Sequence, residues 1–107
     1  MLTAFTKYRI GQVVRHRKHG FRGVIFDVDA CFSQGEAWWQ SIPEDARPRR
    51  DQPFYHLLAV NAEGPSLAYV SEQNLVPDDS GPVDHPDIPD LFGAFEGGRY
   101  RLEFQLN

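Results

Sequence analysis

Apolar and polar positions fall into short runs along this chain, and no long amphipathic helical stripe emerges. Val13 and Val14 form a brief β-prone run after Gly11. In Val24-Ile25-Phe26-Asp27-Val28-Asp29, alternation puts Val24, Phe26 and Val28 on one face and Ile25, Asp27 and Asp29 on the other, the pattern of a half-buried strand. Between the two runs lies Arg17-Lys18-His19-Gly20-Phe21-Arg22-Gly23, whose two glycines supply the positive φ angles of a hairpin connection. Phe54 to Val60 forms a third run, entered after Pro53 and left through the turn-forming Asn61-Ala62-Glu63-Gly64-Pro65. Leu67-Ala68-Tyr69-Val70 completes a second hairpin, and Glu72 to Val76 then runs toward Pro77 as a helical turn or a short strand. Two hairpins of short strands predict a mainly β protein. The expected architecture is a small antiparallel sheet curled into a partly open, SH3-like barrel, because a flat sheet this small would expose one whole face.

Residues 30–53 are too long for a structureless connection inside a small domain, which marks them as partly structured or functional. Ser33-Gln34-Gly35-Glu36 has capping-box spacing ahead of Ala37-Trp38-Trp39-Gln40, and Pro43 ends any helix that begins there. Trp38 and Trp39 cannot point the same way from one helix. One is expected to lid the open end of the barrel, while the other is exposed or part of a protein-contact surface. After Val76, four prolines among aspartates predict an extended or mobile acidic segment over 78–98. The stretch 99–106 alternates again, with Tyr100, Leu102, Phe104 and Leu106 inward. It reads as a terminal strand that either closes the barrel or adds to a neighbouring subunit's sheet edge.

Length and composition narrow the class. The 107 residues predict one domain spanning 1–107, with its core over about 8–77, and 41% hydrophobic with 24% charged residues is the balance of a globular protein. No apolar run approaches the roughly 20 residues of a membrane helix, and the first residues lack the layout of a signal peptide. One cysteine allows no internal disulfide, so the expected compartment is the cytoplasm. The net charge of −4 argues against a generic nucleic-acid coat, yet the charge is not evenly spread. Residues 1–26 carry Lys7, Arg9, Arg15, Arg17, Lys18 and Arg22 with no acid. Residues 78–96 carry Asp78, Asp79, Asp84, Asp87, Asp90 and Glu96 with no base. The asymmetry is a reason to look for partners at each end separately, and two solvated surfaces that keep the protein soluble are the plainer alternative.

Catalytic chemistry finds little support in these residue types. His16, His19, Cys31 and His56 form neither CxxC nor HExxH, so neither a metal nor a cofactor is expected. Cys31 with His56 as base, or Asp27 paired with Asp29, are the only conceivable catalytic sets, and packed or solvated versions of both are commoner. The sharper signal is the basic turn. Arg15, Arg17, Lys18 and Arg22, with His16, His19 and Phe21, gather donors and one aromatic ring on a hairpin tip. That set suits phosphate contacts, and equally suits docking on an acidic protein surface such as the Asp-rich segment of a neighbouring chain.

Four stretches carry a family resemblance. Tyr8 to Arg17, Gly20 to Asp29, Gln52-Pro53-Phe54-Tyr55-His56-Leu57-Leu58, and Tyr69-Val70-Ser71-Glu72-Gln73-Asn74-Leu75 resemble, in order and spacing, the hemimethylated DNA-binding (YccV-like, HspQ) family, and His85-Pro86 agrees. Ala30, where proline is common in that family, and the tail from Asp87 depart from the pattern. The resemblance implies a small β-barrel-like domain that assembles as a small oligomer, a trimer. It also implies a non-enzymatic, stress-related role through hemimethylated DNA, through the Lon protease and its substrates, or through proteolysis alone as a protein–protein adaptor. No agreed contact residues come with it, so the expected DNA contacts are the turn's own Arg15, Arg17, Lys18 and Arg22, and the expected protein contacts Trp38 and Trp39.

Overall fold

The structure, a computed structural model, describes residues 6–103. Five antiparallel strands build the main sheet: β1 (Val13–His16), β2 (Arg22–Asp29), β3 (Phe54–Asn61), β4 (Gly64–Ser71) and β5 (Leu75–Pro77), in the spatial order β4-β3-β2-β1-β5. The mainly β, antiparallel expectation holds. The sheet is not closed: β4 and β5 remain edges. It nevertheless curls, because Val70 of β4 and Leu75 of β5, from the two outermost strands, share one cluster with Tyr8, Val14, Ile25, Tyr55 and Leu57. The chain from Ser71 to Leu75 includes a 3-10 turn at Glu72–Asn74, so both readings of that stretch, turn and strand, are realised in succession.

Both faces of the sheet are buried, which the alternation pattern did not foresee. Val14, Ile25 and Leu57 point to the inner cluster, while their neighbours Val13, Val24 and Leu58 point to a second cluster completed by Val83, Ile88, Phe92 and Tyr100. Strand β2 is therefore not half-buried over its first part: Val24 and Ile25 are both fully inaccessible. A β-bulge between Ile25 and Asp27 inserts Phe26 as an extra residue against β3. Phe26 then packs on the outer cluster and Val28 on the inner one, so the predicted shared face of Val24, Phe26 and Val28 is broken at Val28. A single inserted residue moves everything after it to the opposite face.

The acidic, proline-rich segment supplies that outer layer and is not an extended, mobile stretch. It contains α2 (Ile88–Leu91), with Pro89 in the first turn where its missing N–H costs nothing, followed by β6 (Phe92–Glu96) and β7 (Arg99–Leu102). The segment is pinned along its length. Tyr100 Oη donates to the Val83 carbonyl at 3.2 Å and accepts from the Val83 amide at 3.0 Å. One ring nitrogen of His85 lies 3.2 Å from the Ser66 carbonyl of β4, and the other accepts the Asp87 amide at 3.1 Å. The terminal strand pairs with β6 in a separate two-stranded sheet, so within the described residues it neither closes a barrel nor extends the main sheet. Tyr100 is buried as expected but Leu102 is exposed, and Phe104 and Leu106 lie outside the described residues. The core thus reaches well past residue 77.

The link from β7 to the main sheet depends on one glycine. Gly11, at φ +92°, accepts the Tyr100 amide at 2.8 Å, and a Cβ there would overlap the Tyr100 carbonyl. In the hairpin tip, Gly20 has φ +78° as expected. Gly23 instead lies within β2, opposite Val14 and Ala59, where the Leu58 carbonyl and the Leu57 side chain would crowd a Cβ.

Candidate nucleic-acid interface

The hairpin tip is built around a buried, neutral histidine. His16 Nδ1 accepts the backbone amides of Lys18 and His19, both at 3.1 Å, which caps the turn after β1. Burial, with the nearby His19 and Lys18 charges, lowers its pKa from 6.5 to about 4. The His19 ring packs against it, tilted by 33°, at 4.4 Å, and Phe21 does so, tilted by 37°, at 5.1 Å. With the turn fixed, Arg15, Arg17, Lys18 and His19 are all exposed. Arg17 Nη1 donates to the Gln73 carbonyl at 2.9 Å, which steadies its guanidinium and leaves its other donors open. The Lys18 ammonium has no hydrogen bond or ion pair among the described residues.

Arg22 stands apart from the other three predicted contacts. Its guanidinium donates to the Gly81 and Pro82 carbonyls, and Nε lies 3.3 Å from Asp78 Oδ2. Nε forms no aligned hydrogen bond there, so the Asp78 contact is ionic. Arg22 therefore clamps the start of the acidic segment onto β2. Arg15, half exposed, also reaches Asp78 Oδ2 at 3.5 Å. Burial alone would raise the Asp78 pKa, but hydrogen bonds from the Ser80 side chain and amide, with Arg22, hold it down at about 2. The acidic segment does meet the basic turn, within one chain and through one aspartate.

Beside the tip runs a groove of about 450 Å³. It is lined by Ala68 to Ser71 of edge strand β4 together with His16, His19, Phe21 and Asn74. The long loop roofs it. The loop contains α1 (Glu36–Gln40) and a 3-10 turn at Glu44–Ala46, and it contributes Trp38, Ile42 and Pro43 to the groove. The capping box does not form: Gly35 occupies the N-cap with no side-chain bond, and Ser33 Oγ instead donates to Asp29 Oδ2 at 2.6 Å. Trp39 is buried beneath the Arg50 guanidinium, 4.2 Å from its ring, and so is shielded from partners. Trp38 is half-buried, edge-on to Tyr69 at 5.3 Å, with one side on the groove. One tryptophan is packed away and the other is at a surface.

Tyr69 is fixed by a polar network that sequence reading treated as separate residues. Asp29 Oδ2 accepts from Tyr69 Oη at 3.0 Å and contacts His56 Nε2 at 3.0 Å, in addition to Ser33. These bonds lower the Asp29 pKa against the opposing effect of burial. The Tyr69 ring stacks on Phe54 at 5.1 Å with an interplanar angle of 19°. Asp27, Asp29 and His56 place ligand atoms within 4.8 Å of one another and could hold a metal ion, but a cation would displace donors that Asp29 already serves. His56 is engaged with Asp29, and no hydrogen bond joins it to the exposed Cys31 among the described residues.

Two later motifs become intelligible as partners. Gln52 Nε2 donates to Gln73 Oε1 at 2.5 Å and Gln52 Oε1 accepts the Gln73 amide at 2.9 Å, while Tyr55 Oη donates to Glu72 Oε2 at 2.7 Å. The Tyr55 pKa is raised by burial first and by Glu72 second. These pairs set the start of β3 against the 3-10 turn that positions Asn74 and the Arg17 contact. A further cationic cluster escaped the sequence reading, which counted only acids in the tail. Arg9, Arg99 and Arg101 line one shallow groove with Ile10, Glu96 and Leu102, at the end of β1 away from the hairpin tip. Their separation in sequence left no local signal.

A match to the family described as YccV-like, "Hemimethylated DNA-binding protein YccV like", covers residues 6–99. The chain is also similar to F-box only protein 21 of Mus musculus, Pongo abelii and Homo sapiens, at 30% identity over 95 residues in each case. Those alignments cover 87% of this chain and 15% of each relative, so the chain corresponds to about 15% of the length of the curated relatives it matches.

Proposed function

The chain belongs to the YccV-like hemimethylated DNA-binding family, and from that premise we propose that it is a non-enzymatic module that binds DNA through the tip of the β1–β2 hairpin. The observation that carries this reading is the row of exposed cations, Arg15, Arg17 and Lys18, on a turn fixed by the neutral His16 cap. Arg17 and Lys18 contact phosphates directly. Arg15 shares its charge with Asp78, and Arg22 holds the acidic segment in place. Two phosphate contacts give a log–log salt slope of roughly −2 and modest affinity.

The test is titration of hemimethylated, fully methylated and unmethylated duplexes across a salt series, with the Arg17→Ala/Lys18→Ala double variant alongside. The expected result is tighter binding to the hemimethylated than to the unmethylated duplex and a slope shallower by about 2 in the variant. Unchanged affinity and slope in the variant would sink the hairpin as the contact surface. Charge removal at Arg99 and Arg101, at the far end of β1, is the control and should leave the slope nearly intact.

A second reading is favoured by the apolar groove beside the tip: a stress-related adaptor that holds a polypeptide segment and alters substrate degradation by the Lon protease, with no physiological DNA contact. Failure to bind Lon or to change degradation of any Lon substrate would remove it. Assembly as a trimer accompanies both readings by family resemblance, and the cytoplasm is the compartment proposed for both from the lone cysteine.

A further inference from the structure

We propose that the groove between the hairpin tip and the aromatic loop receives one nucleobase extruded from the duplex whose phosphates the tip contacts. The inference rests on the DNA-binding reading and adds a site to it.

Three independent features agree. The groove's lining includes the aromatic rings of Tyr69, Phe54, Trp38, His19 and Phe21, and its volume of about 450 Å³ lies within the range of small-ligand sites. The Tyr69 ring is held in place by the Asp29 and Ser33 hydrogen bonds, so the surface is formed before a ligand arrives. The wall of the groove also holds an unanswered polar group. Ser71 is 2% exposed, lines the groove, and its Oγ has no hydrogen-bond partner. Buried hydroxyls are normally paired, so an unpaired one beside a groove marks a place for a ligand's polar edge. A purely aliphatic occupant would leave Ser71 unsatisfied, whereas a nucleobase brings an aromatic face and a hydrogen-bonding edge together.

The surrounding charge completes the fit. Arg17 and Lys18 adjoin the groove's His16–His19 rim and lie where the phosphates flanking an inserted base must run. A base still stacked in a duplex shows the groove only its edge, so aromatic contact requires extrusion. One methyl group buried with the base adds roughly fourfold in affinity. The groove therefore distinguishes a methylated strand from an unmethylated one, and treats hemimethylated and fully methylated duplexes alike.

The experiment compares binding of the full chain to a methylated duplex with the methylated base correctly paired and with the same base opposite a mismatch, which removes most of the cost of extrusion. Wild-type protein, Trp38→Ala and His19→Ala are titrated across salt, with circular dichroism to verify folding. The expected result is at least tenfold tighter binding to the mismatched duplex by wild type. Both variants should lose most of that advantage with the salt slope unchanged, because stacking releases no counterions. Equal binding of paired and mismatched duplexes, or variants that keep the advantage, would overturn the groove as a base site while leaving the hairpin reading intact. Because His19 is exposed, His19→Ala decides the matter if Trp38→Ala does not fold. Absence of any salt-dependent DNA binding by wild type would instead overturn the DNA reading itself, and the base site with it.

Discussion

Replacing Asp78 with Asn separates the two roles of the basic turn. Asp78 Oδ1 accepts the Ser80 amide at 2.9 Å and the Ser80 hydroxyl at 2.5 Å, while Oδ2 faces Arg22 and Arg15. An asparagine can keep its carbonyl oxygen on Ser80, which turns its NH₂ toward two guanidinium groups. The charge-assisted contacts are lost and donors face donors in a nearly buried position. The cost is about 2 kcal/mol, the worth of a hydrogen-bonded contact to a charged group. For a domain of this size that lowers Tm by about 10 °C. Arg22 keeps the Gly81 and Pro82 carbonyls, so the acidic segment stays docked. Arg15 is released, and the local charge rises by one. If Arg15 then reaches one more phosphate, the salt slope steepens by about 0.9, and affinity at 0.1 M salt gains up to about eightfold over that at 1 M. Thermal denaturation and DNA titration at two salt concentrations, with binding measured well below the lowered Tm, read both effects. A destabilised variant that binds DNA no better, with the slope unchanged, would refute the claim that Asp78 restrains a DNA-contacting Arg15.

Other expectations follow from the same geometry. His16 has its folded pKa lowered to about 4 against 6.5 when unfolded, so only the unfolded chain takes up a proton between those values. Its contribution to stability is complete above pH 6.5 and is lost as pH falls toward 4; a His16→Gln variant should flatten that part of the stability–pH profile measured by urea denaturation. Gly11→Ala should cost at least about 2 kcal/mol, because φ +92° strains any side chain and the added Cβ overlaps the Tyr100 carbonyl. Gly20→Ala, with a similar φ of +78° but open space around it, should cost only the strain, about 1 kcal/mol. Equal Tm losses for the two variants would contradict the close approach of β7. Tyr100→Phe should lower stability by about 1–2 kcal/mol, since it leaves the buried Val83 amide and carbonyl without their partner.

The local elements were legible because they depend on neighbours in sequence. Valine-rich runs, Gly20 in the hairpin tip and the Asn61 to Pro65 turn specify short strands and their connections before any long-range contact is considered. The exposed cations of that tip were legible for the same reason. Gln52, Tyr55, Glu72 and Gln73 stood out as motif residues, although their pairing across 17 to 21 positions could not be read from either motif alone.

What the tertiary structure decided depends on contacts between distant segments. Proline and aspartate composition marked 78–98 as extended, yet Val83, Ile88, Phe92 and Tyr100 are spaced to cover the outer face of a sheet that strand alternation had assigned partly to solvent. The bulge at Phe26 reversed the facing of Val28, because register is set by the partner strand and not by the strand itself. Arg22 was indistinguishable in sequence from Arg17 and Lys18, but burial against Asp78 and the Gly81 and Pro82 carbonyls made it a strut. The groove, with Ser71 unpaired beside it, exists only because β4, the β1–β2 hairpin and the long loop, distant in sequence, converge. Local propensity determines which pieces form. Which charges stay free and where a cavity opens is determined by how those pieces exclude water from one another.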